Sequence, residues 1–334
     1  MMKCNKKIFI CFLSVLFVVG MMTPSLGSFA ASDDDTVTST KDYYDKLAHQ
    51  VYDREAYRYY KVDNPALADN YVHIDMNAFA HHYNKDNPLI SGCYLIYYLD
   101  TIYTEYSPSG LKVRIKFPYN KGRMDEHFEQ LERLSNRLKG KSDYDTVLKV
   151  HDYLIEHFEY DYNTKMANHT DIDGFKDGVM VCSGYSLAAY YLLNKVGVET
   201  RVVTGFGGDG EPTNNHMWNI VKVDGQWYNL DITWDDRGGK NKTYEYFLRC
   251  DDDFPRHIRM DGFDVGDTKI VMAERSYKHP FSFNNPEQIP KLLFALFIIG
   301  IVVFFEIKKI RKKKEEKLLS QIKVINDDYE DFAG

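Results

Sequence analysis

The sequence predicts an α+β fold, and three observations predict it. Apolar residues recur at helical spacing in 124–138, 143–158 and 183–195. Aromatic and β-branched residues fill 94–106 and 111–117 on either side of Ser-Pro-Ser-Gly, the pattern of a β-hairpin. Residues 216–234, HMWNIVKVDGQWYNLDITW, hold a second hairpin around Asp224-Gly225, a dipeptide that favours a two-residue type I′ turn.

Taken in order, the chain opens with Lys3, Lys6 and Lys7 before an apolar run from Ile8 to Met22. Small residues follow at Ser28 and Ala30, so 1–30 is expected to be a cleavable secretory signal. The polar stretch 31–42 is expected to be a flexible leader. Residues 43–140 form an N-terminal accessory α/β region. Within it YDREAYRYY (52–60) is expected to be helical, and Asn64 and Asn87, each before a proline, mark breaks. Its last helix, 124–138, carries Phe128, Leu131, Leu134 and Leu138 at intervals of three or four. Ser142 is a good N-cap for the next helix, 143–158, which presents Val147, Val150, Leu154 and Phe158. A polar stretch, 159–178, ends in Asp177-Gly178. The helical run from Ser183 to Lys195 stops at Gly197, and 200–206 reads as a strand. A main domain is bounded at 141–262, with 263–290 as a juxtamembrane segment.

Leu292 to Phe305 is an apolar run of fourteen residues. That is short of the about 20 of an ordinary membrane span. Lys291 and Glu306 can snorkel at its edges, however, and Lys308, Lys309 and Arg311 to Lys314 follow it. Such a basic flank marks the cytoplasmic side. Residues 291–307 are therefore expected to be a single transmembrane helix and 308–334 a cytoplasmic tail, with the folded domain outside the cell.

The whole chain carries a net charge of −7, and residues 31–305 carry 31 basic against 42 acidic side chains, or −11. An acidic external domain argues against binding nucleic acid or an anionic surface. Cys4 and Cys11 lie in the signal, leaving Cys93, Cys182 and Cys250. Three cysteines in so long a chain are not a disulfide scaffold, and at least one is unpaired. Cys93 and Cys250 are candidates for a pair or for two buried thiols. His81 and His82 face apart in an extended chain, and His151 and His157 do not share a helical face. No metal or cofactor is expected.

The stretch DGVMVCSGYSLAAYYLL, 177–193, puts Cys182 in front of a helix and after a glycine-bearing loop. It could be half a disulfide, a buried filler or a nucleophile. The second hairpin bears on the choice. With Asp224 and Gly225 as the loop, Val223 faces Gln226, His216 lies opposite Thr233, and Asp231 lies opposite Trp218. Alternation then sets His216 and Asp231 on one face as diagonal neighbours, roughly 7–8 Å apart at the backbone. A slip of one residue would separate them. Trp218 and Trp227 share that face, either walling a substrate cleft or packing in a core. A thiol at a helix N-terminus sits at the positive end of the dipole, which favours thiolate. A neighbouring histidine can take its proton, and an aspartate on the far ring nitrogen fixes the tautomer. Each residue alone is more often structural.

Three blocks extend the reading. KVHDYLIEHFEYDY (149–162), DGVMVCSGYSLAAYYLLNKVGVETRVVTG (177–205) and NHMWNIVKVDGQWYNLDITWDD (215–236) resemble, in order, the helix before the nucleophile, the nucleophile helix with its following strand, and the His and Asp strands of the transglutaminase-like superfamily. The resemblance covers 145–236 and extends more loosely to about 260 through YEYFLRCDDD and RHIR. It implies a papain-like α+β core with the nucleophile helix packed on an antiparallel sheet, and a Cys-His-Asp triad on Cys182, His216 and Asp231. Met217 stands where the family often has alanine. The implied activity is a surface-tethered acyl transfer from an amide or peptide bond through a thioester, of transglutaminase, amidase or peptidase type. The implied substrate is a peptide, a protein or a cell-wall peptide. A membrane-anchored binding module on a catalytically silent scaffold is the rival reading.

Overall fold

Both hairpins form, and each grows into a four-stranded sheet. The computed structural model describes residues 35–64, 71, 73–108, 110–162, 170–208, 214–239, 241–260, 270–278 and 289–330. The expected signal, 1–30, lies outside the described residues. The chain divides into two units, Met1–Tyr277 and Lys278–Gly334.

The first sheet contains β1 (Thr36–Val37), β2 (Tyr57–Val62), β3 (Thr101–Ser107) and β4 (Gly110–Lys116), ordered β1-β2-β4-β3. β1 runs parallel to β2, and the other pairs are antiparallel. Three expectations are corrected here. Leader residues 36–42 are ordered: Val37 is buried, and Ser39 caps the helix Thr40–Tyr52 by accepting from the Asp42 N–H. YDREAYRYY is not helical. The helix stops at Tyr52, and Tyr57 to Tyr60 pair with Leu111 to Arg114. The strand expected from residue 94 begins only at Thr101, because Gly92–Leu95 and Ile96–Tyr98 are short helical turns. Those turns set Tyr94 and Tyr98 four residues apart on one side, where the Tyr98 hydroxyl donates to the Asp171 carboxylate and lies 2.9 Å from the Tyr94 hydroxyl.

The second sheet positions the site. Its strands are β7 (Thr200–Gly207), β8 (Asn214–Val223), β9 (Gln226–Leu230) and β10 (His257–Arg259), antiparallel in the order β10-β7-β8-β9. A smaller parallel pair, β5 (Glu159–Tyr160) with β6 (Val179–Met180), leads into the helix Cys182–Lys195. That helix is buried from Cys182 to Leu193. Leu187, Leu192 and Leu193 pack with Met217, Val221 and Val223 of β8 in the main core. Each buried leucine stabilises by about 1.5–3 kcal/mol. The Asn219 side chain ties helix to sheet by donating to the Ser186 carbonyl at 3.1 Å. The opposite sheet face carries a second core of Val203, Trp218, Ile220, Trp227, Tyr246 and Phe254.

The helices Lys121–Leu138 and Asp143–His157 form with the caps Asn120 and Ser142. Gly197, at φ 95°, follows the Cys182 helix as expected. Residues 43–140 do not build a core of their own. The Tyr94 ring stacks on Tyr190 of the Cys182 helix with centroids 4.6 Å apart, inside one continuous cluster. The expected juxtamembrane segment is corrected at 270–277. Met272 bridges Trp227, the Ala273 N–H donates to the Trp227 carbonyl, and the Tyr277 hydroxyl donates to Asp224. This covers the outer edge of β9, whose backbone groups need partners.

In the second unit, Ile289–Glu330 is one helix. Among the described residues, no helix is long and apolar enough to cross a membrane. The transmembrane expectation for 291–307 is corrected to that extent. Its uncharged run is fourteen residues, against the about 20 that a bilayer core requires, and it begins at residue 292, outside the described side chains.

Candidate active site

Cys182 is the first residue of its helix, entered through Val181 in an extended conformation with no side-chain cap. The first N–H groups of a helix lack intrahelical partners, so they and the dipole's positive end face the Cys182 region.

His216 lies on β8 opposite Gly205 of β7. Two glycines make room for its surroundings. A Cβ at Gly207 would stand 3.0 Å from the Trp234 ring and 3.3 Å from His216, and one at Gly205 would collide with Trp218 and the Ile258 carbonyl. The imidazole is hydrogen-bonded to Asp231, lies beside the Cys182 thiol, and is buried.

Asp231 departs from the expected register. The turn forms with Asp224 at φ 50° and Gly225 at φ 80°, and Val223 pairs with Gln226 as predicted. β9 nevertheless ends at Leu230, so Thr233 is not a strand partner of His216. Asp231 instead caps the helical turn Ile232–Asp235, its Oδ1 accepting the Trp234 N–H at 3.2 Å. Its Oδ2 faces His216 Nε2 at 2.7 Å and His257 Nε2 at 3.0 Å. Burial alone would push this carboxyl up, but His216 and then His257 hold it well below the usual carboxylate range. Burial likewise disfavours protonated His216. The Asp231 charge and hydrogen bond, together with Cys182, overcome it and raise the imidazole to about 10.

The structure therefore brings Cys182, His216 and Asp231 together. It does not place Trp218 and Trp227 on a cleft. They are 1% and 8% exposed and sit in the second core, covered by Tyr246 and Phe254. Alternation gave their shared face correctly, but the segment that buries this face arrives from later in the chain.

Three further residues border the site that were not among the predicted site residues. Trp234 tilts over His216, centroids 5.3 Å apart. Tyr160, beside Cys182, has its hydroxyl pushed up to about 12 by burial and then by the neighbouring Cys182. His257 arrives on the edge strand β10, and only the loose family block RHIR touched it. His216, Asp231 and His257 place three ligand-type atoms within 4.8 Å of one another. Their spacings of 2.7 and 3.0 Å are those of shared protons. Ligands at about 2.0–2.2 Å around a tetrahedral ion would sit about 3.3–3.6 Å apart.

Below the site, His151 is fully buried between two carboxylates, Nδ1 at 2.9 Å from Asp152 and Nε2 at 3.2 Å from Asp235. It joins the helix Asp143–His157 to the turn that Asp231 starts. Burial disfavours its charge, yet Asp152 and Asp235 raise its proton affinity above the ordinary value. A histidine raised on folding stabilises fully below its unfolded value of about 6.5, and the gain is lost as pH climbs through the folded value. His151→Gln should cost about 3 kcal/mol at pH 6. The gap from wild type in urea denaturation should narrow toward pH 9. A gap that widens with pH would refute the imidazolium assignment.

Cys93, Cys182 and Cys250 are all free and buried. Cys93 and Cys250 do not pair, and burial pushes the Cys93 thiol up to about 11.

A family profile described as the transglutaminase-like superfamily matches residues 132–232. No curated protein matches the chain. Among solved structures, a TGase aligns at 17% identity over 45% of this chain and 48% of its own, with a TM-score of 0.31. A protein from Cytophaga hutchinsonii, provisionally titled a cysteine protease, aligns at 16% identity over 40% of this chain and 61% of its own, TM-score 0.29. The periplasmic domain of TgpA from Pseudomonas aeruginosa, bound to ethylmercury, aligns at 15% identity over 40% and 59%, TM-score 0.28. The alignments thus span between 48% and 61% of these structures' own lengths.

Proposed function

With residues 132–232 belonging to the transglutaminase-like superfamily, we propose that the protein is a cysteine acyl-transfer enzyme acting on amide or peptide bonds. The observation that carries this reading is one imidazole, His216, hydrogen-bonded to Asp231 and set beside Cys182 at the N-terminus of its helix.

His216 takes the thiol proton as Cys182 Sγ attacks the substrate carbonyl carbon. The C–S bond forms, and the carbonyl electrons move to oxygen. The Cys182 N–H, at the free end of the helix, is the nearest donor for that oxyanion. Collapse breaks the C–N bond, and His216 gives its proton to the departing amine or ammonia. Asp231 holds the ring in the tautomer this exchange needs and stabilises imidazolium. The thioester is then resolved by water or by a primary amine, whose proton His216 accepts. Water gives an amidase or peptidase, and an amine gives crosslinking. Substrates with exposed acyl groups, whether peptides, proteins or cell-wall peptides, suit this chemistry.

The same proposal sets the domain outside the cell. A signal-like start, Lys3, Lys6 and Lys7 before the apolar run Ile8 to Met22, supports it.

One experiment tests reactivity and location together. A membrane-impermeant maleimide applied to intact cells should label Cys182 in the native protein. Labelling that needs cell lysis would overturn the external location. Labelling that needs denaturation would leave a binding module on a silent scaffold.

A further inference from the structure

His257 stands in a setting that the triad alone does not require. Its Nδ1 lies 2.9 Å from the Pro255 carbonyl and its Nε2 lies 3.0 Å from Asp231 Oδ2. Both partners are pure acceptors. A neutral imidazole has one N–H, so it would turn a lone pair on one of these oxygens. Only the doubly protonated ring satisfies both contacts. The carboxylate it meets is the one that His216 uses, and on the same oxygen.

The surroundings fix the ring there. Phe254 stacks on it with centroids 4.0 Å apart, Trp234 tilts at 4.3 Å and Trp218 meets it edge-on at 5.0 Å. Aromatic faces suit a cation. The charged and titratable neighbours are few. Asp231 and His216 face it directly, the rings of His216 and His257 being 5.4 Å apart. Cys182 lies beyond His216. Tyr246 borders it and bonds Arg256, whose guanidinium lies over Trp234. Arg259, further along β10, is committed to Asp251 and Asn229.

We propose that His257 is a positioning residue for the Cys182–His216 pair, standing as an imidazolium on Asp231 and sharing that carboxylate's charge. The proposal rests on the cysteine-enzyme reading above. Its consequence is specific. With His257 charged, Asp231 stabilises protonated His216 less than an unshared carboxylate would. His216 then gives up its proton more readily, as a residue that must act as acid and then as base requires. Two donors on Oδ2 also pin the carboxylate plane, which fixes where His216 points.

The test reads protons rather than turnover. In the wild-type protein, the ¹⁵N shifts of His257 at pH 7 should report two N–H nitrogens. The ¹⁵N shifts of His216, followed toward high pH, should report the pH at which it loses its second proton. His257→Gln keeps a donor toward Asp231, and His257→Phe keeps the stacking. Both remove the charge, so both should move this His216 midpoint upward by about one pH unit, since a charge within 4–6 Å shifts a neighbour by one to three. A midpoint unmoved or lowered in folded variants would overturn the proposal. If neither variant folds, the wild-type spectrum decides, and a single N–H on His257 refutes it. Wild-type Cys182 that fails to alkylate in the folded state would instead sink the enzyme reading and leave the His257 spectrum standing.

Discussion

Cys182→Ala is expected to abolish thioester formation and to lower amide turnover by at least about 10⁴-fold, since removing a covalent nucleophile costs about as much as removing its whole catalytic unit. The loss should be chemical, not structural. The substitution deletes one sulfur from a residue that is 8% exposed and leaves the helix without a new polar group. The thermal midpoint should therefore shift by only a few degrees. Cys93→Ala and Cys250→Ala are the controls. Both thiols are free and buried, and neither takes part in the hydrogen bonds of His216. Their turnover should stay within a few-fold of wild type. The assay is ammonia or amine release from glutamine-containing peptides, with and without an added primary amine. A gain in peptide mass with the amine present marks transamidation, and acid product alone marks hydrolysis. Wild-type rates from Cys182→Ala across a broad set of amides would end the catalytic reading.

Where chemistry is local, the sequence was readable. Asp224-Gly225 dictates its own turn, and the turn dictates Val223 opposite Gln226 and the pairing as far as Asn219 and Leu230, one residue short of Asp231. Ser142 and Gly197 likewise announced a helix start and a helix stop. Reading failed where a distant partner decides. Tyr57 to Tyr60 form a strand because Leu111 to Arg114 offer an edge, about fifty residues later in the chain. Tyr94 and Tyr98 leave the strand conformation, and the turn of helix sets the Tyr98 hydroxyl between Asp171 and the Tyr94 hydroxyl. Trp218 and Trp227 look like cleft walls until residues 246 and 254 cover them. His257 is the extreme case. A histidine among charged residues near the end of a domain has no periodicity to betray it. Only the pairing of β10 with Gly205 to Gly207 carries it to Asp231.

Asp231 also shows how a side chain can overrule a register. The hairpin would run on to Trp234, but the carboxylate satisfies the Trp234 N–H and turns the chain into Ile232–Asp235. One oxygen thus serves the fold while the other serves the two histidines. Asp231→Asn separates these roles. If the amide oxygen keeps the Trp234 N–H, the turn survives, and the NH₂ group faces His216 and His257. An NH₂ group donates, so His216 must turn a lone pair toward it from Nε2. Its proton then moves to Nδ1, the nitrogen on the side of Cys182. In that tautomer the ring cannot accept the thiol proton. His257 meanwhile loses the anion that holds its charge. The expected result is a rate lower by about 10²–10⁴-fold, by analogy with the same change in serine triads. Substrate affinity should change little, because Asp231 is fully buried and its partners are protein groups. The measurement is kcat and KM for the best amide substrate, with the crystal structure of the variant to verify that the Trp234 turn persists. A rate within a few-fold of wild type, with the turn intact, would mean that His216 does not depend on Asp231 for its tautomer.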